Sequence, residues 1–372
     1  MGGTYEQSTA EAYEVRPYRP NDRDRFLSLY EAVWDRRKDV DWFEWRFEAN
    51  PYREGVQMVV VEQDSELVAA EPLLPFRLRV GETSQDVYQP VDWIVHPDHR
   101  HQGLFTRMTE DALDRYLSEV PLVFNFPNEL LLPGLTKFDW QTVGPVVCRY
   151  RVQNSRVFVD RDKSKQLPAT ASMVARRGTP VIRAGLGILD RLTTAPDDIT
   201  VTRSEDVPVD TVYELYQSGR PDCVHILRDR PFLQWRFANP NWETTSYVAT
   251  RKGEPVASII AGTETMEHCR LTYLLDIQPM APQTVRPATV EALLAAVVDD
   301  ASESDLIRAP SGYHPAVFRR YGFYRDDTFP LSLVSTRTTH AIRIGASTTG
   351  ETRATLTDPE AWQLTIADLD IE

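Results

Sequence analysis

The fold is decided by residues 91–108, which read VDWIVHPDHRHQGLFTRM. A β-type apolar run ends at Val95, Pro97 opens a short polar turn, and a helical pattern of apolar residues begins near Gly103. Alternating and helical periodicities separated by turn residues indicate a change of secondary structure. The stretch therefore predicts a strand, a loop and a helix in direct succession.

The loop has the composition of an anion-binding site. At a helix N-terminus several backbone N–H groups lack partners, and the helix dipole favours negative charge. Gly103 lets the backbone approach an oxyanion closely, and Arg100 adds a permanent charge. We expect a phosphate ligand here, and the alternative is an ordinary connection between a strand and a helix. The residues expected to hold the phosphate are Arg100, His101, Gln102, Gly103, Leu104, Phe105 and Thr106.

The spacing Arg-x-x-Gly-x-Phe after a strand resembles the pyrophosphate loop of the GNAT acyltransferase superfamily, whose usual form is Gln/Arg-x-x-Gly-x-Gly/Ala. Phe105 stands where a small residue is usual, so we expect its ring to point into the helix–sheet packing. The predicted order of elements over about the first 160 residues is also that of a GNAT domain. The resemblance implies an N-acetyltransferase that moves an acetyl group from acetyl-CoA to a primary amine of a small molecule or peptide.

A second part of the chain resembles the first. The string Trp-Arg-Phe, followed by Asn-Pro, occurs from Trp45 and again from Trp235, an offset of 190 that falls to 183 between Trp140 and Phe323. Small deletions in a duplicated domain would produce this drift. At the second loop position residues 276–283 read DIQPMAPQ, without glycine and with two prolines that lack N–H donors. We therefore predict an α/β fold with mixed sheets, built from two tandem GNAT-like domains, the second degenerate.

The predicted organisation has five parts, and the last is a tail that packs on the sheet. Within the tail a strand is expected at Thr338–Ile344, and Trp362, Leu364 and Ile366 alternate in the manner of a second strand. The parts are a disordered N-terminus (1–12), a GNAT domain (13–160), a linker or helix (161–198), a degenerate GNAT-like domain (199–336) and the tail (337–372).

The resemblance places acetyl-CoA between the strand that ends near Val95 and the strand at Leu122–Phe126. The backbone of Ile94 and Val95 would then pair with the pantetheine as an added strand would. Asn128 is expected either to bond the pantetheine amides or to cap the helix that follows it. Asp92 is the candidate base, or a proton acceptor through water, and the alternative is a strand carboxylate that orients structure or faces solvent.

The general acid is harder to identify. GNAT domains often carry a tyrosine two residues before a basic residue on the helix after the fifth strand, and here that position, two before Lys137, is Leu135. Tyr88 is one substitute. The C-terminal carboxylate of Glu372 is another, because tandem GNAT acetyltransferases that this chain resembles can bring their C-terminus to the active site. The missing tyrosine also motivates the alternative of a non-catalytic acyl-CoA-binding or sensor protein, and a scaffold without cofactor is the third possibility.

Composition limits the other functions. The net charge of −14, with only five lysines, argues against nucleic acid as a partner and is similar to that of halophile proteins. The N-terminus is polar and no apolar run is long enough to span a membrane, so a cytoplasmic protein is expected. His96, His99 and His101 are interpreted as solvated loop residues, with no metal site. The three cysteines are interpreted as small core residues. The acceptor and the oligomeric state are not encoded in any pattern.

Overall fold

The computed structural model describes residues 13–118, 120–128, 130–155, 157, 179, 185–187, 198–335, 338–346 and 348–371. The predicted disordered segment 1–12, nearly all of the predicted linker 161–198 and Glu372 lie outside the described residues. The chain divides into two compact units. The first unit comprises residues 1–144 and 340–361, and the second comprises residues 145–339 and 362–372.

Both units contain strands and helices, and in each unit several strands follow one another directly. The strands in chain order are β1 (Glu14–Pro17), β2 (Met58–Gln63), β3 (Glu66–Val80), β4 (Thr83–Pro90), β5 (Ile94–Val95), β6 (Leu122–Asn125), β7 (Gln141–Val146), β8 (Cys148–Val152), β9 (Thr200–Ser204), β10 (His225–Ile226), β11 (Glu243–Arg251), β12 (Glu254–Thr265), β13 (Arg270–Gln278), β14 (Leu306–Pro310), β15 (Tyr324–Arg325) and β16 (Thr338–Ile344). The helices are α1 (Arg23–Trp34), α2 (Val40–Phe43), α3 (Leu104–Ala112), α4 (Leu132–Leu135), α5 (Val209–Ser218), α6 (Arg230–Arg236), α7 (Pro287–Asp300), α8 (Pro315–Arg320) and α9 (Gly350–Thr357).

The sheet of the first unit has the order β1-β2-β3-β4-β6-β16-β7, and β5 pairs with β3 beside it. Strands β1 to β4 are antiparallel, as three consecutive hairpin-like runs predict. β4 and β6 are parallel, with Tyr88 opposite Val123. Helix α3 buries Leu104, Met108 and Ala112 in the core of this unit, because these residues recur at helical spacing on one face. The predicted helix from Leu104 is therefore confirmed.

The apolar run that ends at Val95 predicts one continuous strand over residues 86–95, and this prediction is wrong. β4 ends at Pro90, and β5 begins only at Ile94. Between them the Val91 N–H donates to the Pro72 carbonyl, and Asp92 has a positive φ of 45°, which breaks the regular ladder. The chain consequently separates from β6 at this point. Strand β5 pairs with β3, and Ile94 lies opposite Ala70.

The sheet of the second unit has the order β15-β8-β14-β13-β12-β11-β9. Neighbouring strands are antiparallel except for β13 and β14, which are parallel. Helix α7 is apolar on most of its surface and buries Val290, Leu293, Leu294 and Val297 in the core of this unit. In both sheets three antiparallel strand pairs are followed by one parallel pair and then by an antiparallel pair.

Each sheet contains a strand that is distant in sequence from the strand with which it pairs. β16 pairs with β6 in the first unit, and β8 pairs with β14 in the second. The predicted first domain, 13–160, included β8, which lies in the second unit. The predicted tail, 337–372, included both β16 and the segment from Trp362 onward, and only the latter segment lies wholly in the second unit. These limits followed sequence order, whereas the units depend on which strand completes which sheet.

The tail differs from its prediction in one further respect. The strand at Thr338–Ile344 is confirmed as β16. The predicted strand through Trp362, Leu364 and Ile366 is wrong, since residues Ile366–Asp368 form a 3-10 turn. The Asp368 carboxylate accepts a hydrogen bond of 2.7 Å from the Thr365 N–H and so closes this turn.

The remaining core residues follow the predictions in part. The aromatic segment after α1 is buried, with Trp42 and Phe47 in edge-to-face contact at 5.7 Å. Cys148 is buried as expected, whereas Cys223 and Cys269 are only half-buried. Within the part of the chain that is described, no helix has the length and apolar character that crossing a membrane requires.

Candidate active site

The loop between β5 and α3 presents backbone donors at a helix N-terminus. A 3-10 turn at Pro97–His99 follows β5, and His101 and Gly103 then both adopt positive φ, 63° and 74°. Gly103 is the N-cap of α3, and no side chain caps the helix. The N–H groups of the first turn therefore remain available to an anion.

Gly103 serves the backbone conformation and not the packing. A Cβ built on Gly103 would have no atom within 4 Å. The positive φ of this residue is a conformation that most side chains adopt only at a cost. Glycine at this position thus leaves the face of the loop open, as a site for a phosphate requires.

The polar side chains of the loop lie at the surface. Arg100, His101 and Gln102 are exposed, and the Arg100 Nε donates a hydrogen bond of 3.3 Å to the Val95 carbonyl. Leu104 is buried in the core, while Thr106 is half-buried on the first turn of α3. The structure therefore brings the predicted loop residues together around one helix end, with their charge on the solvent side.

The ring of Phe105 packs against aromatic neighbours, as expected. Its centroid lies 6.3 Å from that of Trp93 and 6.2 Å from that of Phe138. A Cβ on Gly134 would lie 3.1 Å from the Phe105 ring, so α4 approaches α3 closely at this point. Only the backbone of Phe105 can then serve a ligand at the helix end.

Asp92 is held in a buried ion pair. Its Oδ2 accepts hydrogen bonds from the Arg46 Nε at 3.1 Å and from the Arg46 Nη2 at 2.9 Å. The side chains of Asp92 and Arg46 are only 7% and 1% exposed. The structural role that was the alternative for Asp92 is therefore present, and its role as a base stays a prediction. The arginine of each Trp-Arg-Phe string is predicted to be a buried ion-pair partner. Arg46 is one, while Arg236 is buried and its Nε donates to the Ala367 carbonyl at 2.8 Å.

The other candidate residues lie around β6. Tyr88 is buried on β4, and its hydroxyl accepts a hydrogen bond of 3.3 Å from the Arg53 Nε. The Asn128 Oδ1 accepts from the N–H groups of Leu130 and Leu131 at 3.0 and 2.9 Å, so Asn128 caps the turn before α4. Glu372 lies outside the described residues.

Two buried titratable groups of the first unit were not predicted. Burial raises the pKa of Glu71 on β3 to about 8 and lowers the pKa of His340 on β16 to about 3. The His340 ring stacks on Phe126, which follows β6, with centroids 5.4 Å apart. A charged residue inside the apolar run of β3 was a visible signal for Glu71. His340 reaches β6 only through tertiary pairing, so the local sequence carries no signal for it.

The described residues contain no group of three or more His, Cys, Asp or Glu side chains that is arranged to hold a metal ion. His99 instead contacts Tyr13, whose hydroxyl lies 3.1 Å from the His99 Nδ1. The candidate site of the first unit therefore combines two features. The N-terminus of α3 has no side-chain cap, and the adjacent strand β5 pairs with β3 and has separated from β6.

Residues 14–143, which contain this helix end, match the family model described as "Acetyltransferase (GNAT) domain". Residues 14–143 are a GNAT domain. The comparison with curated proteins found no match. The GNAT domain supports acyl-CoA-dependent N-acyl transfer at the level of the reaction class.

Solved structures similar to this chain share its fold at low identity. A GCN5-related N-acetyltransferase from Anabaena variabilis is 11% identical with a TM-score of 0.57, and 89% of this chain covers 72% of that one. A probable N-acyltransferase from Enterococcus faecalis is 10% identical with a TM-score of 0.58 and the same coverage. The N-myristoyltransferase of Saccharomyces cerevisiae, solved with myristoyl-CoA, is 13% identical with a TM-score of 0.58, with coverages of 90% and 81%. These likenesses show an α/β fold with two mixed sheets of the N-acyltransferase type.

Proposed function

We propose that the first unit is an N-acetyltransferase that takes acetyl-CoA as cosubstrate and acetylates a primary amine of a small molecule or peptide. The observation that carries this proposal is the α3 N-terminus, where Gly103 has a positive φ and no side chain caps the helix. The pyrophosphate of CoA would accept from these N–H groups. The pantetheine would pair with the backbone of Ile94 and Val95, whose strand β5 is bonded to β3 on one side.

The second unit is a degenerate copy in this proposal. β13 ends at Gln278, and the chain then runs through Pro279 and Pro282 to α7, whose first residue is Pro287. Three prolines remove three N–H donors from the segment that corresponds to the phosphate loop. The shared strand order of the two sheets supports a tandem duplication, and the proline-rich connection supports restricting cofactor binding to the first unit.

Asp92 and Tyr88 are the candidate proton-transfer groups on β4 and its continuation. The Asp92 Oδ2 accepts two hydrogen bonds from Arg46, and so the carboxylate would act by orienting a water or an ammonium group. Tyr88 is buried in the hydrophobic core of the first unit. In the proposal the acceptor amine therefore loses its proton to water that Asp92 positions.

A second function, binding of acyl-CoA without turnover, is favoured by a specific observation. Leu135 occupies the position of the usual acid tyrosine and is fully buried, so that residue protonates nothing. A protein of this kind would bind acyl-CoA tightly and release thiol only slowly.

Turnover distinguishes the two functions. Thiol release from acetyl-CoA is followed against a panel of amines, amino sugars and peptides, with calorimetric titration of acetyl-CoA and of myristoyl-CoA alongside. Acceptor-dependent thiol release supports the transferase and identifies the acceptor class. Tight binding with only slow hydrolysis supports the binding protein, and absence of binding overturns both.

A further inference from the structure

Glu71 is a buried acid that the proposed chemistry has not yet used. It lies on β3 opposite Val59 of β2, and on its other side β4 and β5 are interrupted at residues 91–93. Its side chain is fully buried, and the Thr109 hydroxyl of α3 donates a hydrogen bond of 2.9 Å to its Oε2. Burial raises the pKa of Glu71, Asp111 raises it further, and Thr109 and Trp93 lower it, with a result of about 8. Glu71 is therefore mostly protonated at neutral pH.

Two polar atoms beside this acid lack partners. The Glu71 Oε1 and the Trp93 Nε1 are both buried and close enough for the indole to lower the pKa of the carboxyl, but neither atom makes a hydrogen bond of ordinary length with any described residue. A buried polar group without a partner costs about 1–3 kcal/mol. The carboxylic O–H and the indole N–H are both donors, so together they suit an acceptor atom of a ligand.

The second sheet shows that the fold does not require these polar groups. Ser258 lies opposite Gln278 there, as Ala70 lies opposite Ile94 in the first sheet. The adjoining residues are Ile259 and Ile277, which pair with each other and are both buried. Hydrocarbon thus fills the two positions that Glu71 and Trp93 occupy in the first unit. The polar pair occurs only in the unit with the glycine loop.

The pair also lies on the side from which a cofactor would arrive. Thr109, which contacts Glu71, is five residues along α3 from Leu104, about 7.5 Å along the helix axis. Trp93 is half-buried beside Phe105 of the first turn. A cofactor anchored by its phosphates at the N-terminus of α3 would therefore extend toward the break at residues 91–93.

We propose that Glu71 donates its carboxyl proton to the thiolate sulfur that leaves CoA, while the Trp93 N–H donates a second hydrogen bond to that sulfur. The proposal rests on the proposed transferase function. The amine nitrogen forms a bond to the thioester carbonyl carbon, the C–S bond breaks, and the S–H bond forms with the proton of Glu71. The attacking nitrogen loses one proton to water. After the thiol leaves, water enters the space that it occupied and returns one proton to the Glu71 carboxylate, so the step balances.

The acid strengths are suited to this transfer. An alkyl thiol has a pKa of about 8.5, close to that of Glu71, and a matched acid is the most effective general acid at such a pH. Glu71 would take the role for which Leu135 has no functional group. The ionisable side chain whose charge acts on Glu71 is Asp111 of α3, and its negative charge favours the protonated form.

The test compares leaving groups. Glu71→Gln keeps the shape of the side chain and removes the acid, and Thr109→Val removes the hydrogen bond to Oε2 but keeps the acid. Acyl transfer to the acceptor found in the amine panel is measured with acetyl-CoA and with an acetyl aryl thioester whose thiol is strongly acidic. We expect Glu71→Gln to slow transfer from acetyl-CoA by about 100-fold, with transfer from the aryl thioester within about two-fold of the unchanged protein. The loss of rate above about pH 8 should be present in Thr109→Val and absent in Glu71→Gln.

Equal slowing of both thioesters by Glu71→Gln, or no slowing, overturns the role of Glu71 and leaves the transferase function intact. If no amine is acetylated, the same comparison applies to hydrolysis of acetyl-CoA, since hydrolysis also expels the thiolate. Complete absence of turnover overturns the transferase function and this role with it. If Glu71→Gln does not fold, Trp93→Phe gives the second comparison, with a smaller loss that is again confined to acetyl-CoA.

Discussion

The two sheets of this protein have the same order of strands but differ where a cofactor would bind. In the first unit the connection between the parallel strands β4 and β6 contains Gly103, which has a positive φ and is the N-cap of α3. In the second the parallel pair β13 and β14 is accompanied by prolines and by a connection without glycine. Buried groups differ in the same way, with Glu71 in the first sheet and Ile259 at the corresponding position of the second. The fold alone therefore does not require either the open loop or the buried acid.

Both units pair a buried arginine with a buried aspartate at corresponding positions of the two sheets. Asp92 pairs with Arg46 in the first unit, and Asp276 pairs with Arg228 in the second at 3.1 Å. Arg228 also contacts Asp368 at 2.8 Å, and all three residues of this cluster are fully buried. A feature common to both units is better explained by structure than by catalysis, which is why a base role for Asp92 needs a direct test.

The largest predicted difference between the units is a pH dependence of the free energy of unfolding, and Glu71 of the first unit is its cause. Unfolding returns its pKa from about 8 to the usual 4.5, so the native state binds more protons between these values. The free energy of unfolding should then fall as pH rises from about 4.5 to 8, by about 1.4 kcal/mol per unit and at most roughly 5 kcal/mol. Urea unfolding at pH 5, 6.5 and 8 measures this.

Glu71→Gln and Glu71→Ile are the variants for this prediction, the second copying Ile259. Relative to the unchanged protein, both should gain stability as pH rises through the same window, because other titrating groups cancel in the difference. A difference that is independent of pH would show that Glu71 is ionised in the native state.

Removing the buried arginines should have the next largest effect. Arg228→Met removes the guanidinium that the buried carboxylates Asp276 and Asp368 share, and Arg46→Met removes the guanidinium that donates two hydrogen bonds to Asp92. Breaking a buried pair costs about 3–5 kcal/mol, and we expect Arg228→Met to be the more destabilising of the two. The midpoint of chemical denaturation measures both. The control is Arg115→Met, which breaks an exposed pair with Asp111 worth about 0.5 kcal/mol or less.

If Arg228→Met costs no more than the Arg115 control, the buried cluster does not stabilise the second unit. If Arg46→Met abolishes activity but leaves the free energy of unfolding unchanged, the Arg46–Asp92 pair acts in the reaction. The two units would then differ in the role of this ion pair, which would be catalytic in the first unit.

A charge at the glycine of the loop should abolish cofactor binding. Gly103→Glu places a carboxylate where phosphate is expected, and we predict an affinity for CoA weaker by about 100-fold or more, about 2.8 kcal/mol. Calorimetric titration with CoA measures the change. Gly103→Asn tolerates the positive φ without adding charge and should lose much less.

The matched control in the second unit is Gln283→Glu, at an exposed position before α7. It should leave the affinity for CoA unchanged. A loss of affinity in this variant equal to that in Gly103→Glu would contradict the restriction of cofactor binding to the first unit.

The smallest expected effect concerns the exposed charge of the loop. Arg100→Gln should weaken CoA binding by about five-fold, or about 1 kcal/mol, because an exposed guanidinium acts on phosphate through screened solvent. The loss should shrink as salt is raised. Arg286→Gln is the counterpart, an exposed arginine at the N-cap of α7, and it should change nothing. Equal effects of the two would indicate general electrostatics and not a site.

Much of the fold could be predicted from local patterns. The strands β2 and β3, the helix from Leu104 and the turn at Gly103 follow from alternation, helical spacing and turn residues, which act within a few residues of the chain. The direction of the Phe105 ring followed from its place on a helix whose other apolar residues face the core. These features depend on neighbours in sequence, so sequence reasoning could find them.

The site was harder to predict, because its residues meet across long separations. Asp92 and Arg46 are 46 residues apart, and Glu71 meets Thr109 over 38 residues. The sequence left a base role and a structural role open for Asp92, and the structure shows its carboxylate paired with Arg46. Glu71 was visible as a charge within an apolar strand, but its protonation depends on helix α3 covering it.

The sequence by itself determined the order of elements, the open backbone at Gly103 and the loss of that loop in the second half, because each depends on the conformational preferences of single residues. Only the tertiary structure decided which strands complete each sheet and which acids are buried. β8 and β16 pair with strands that lie far from them in sequence, and a carboxyl such as Glu71 holds its proton only where other elements exclude water from it.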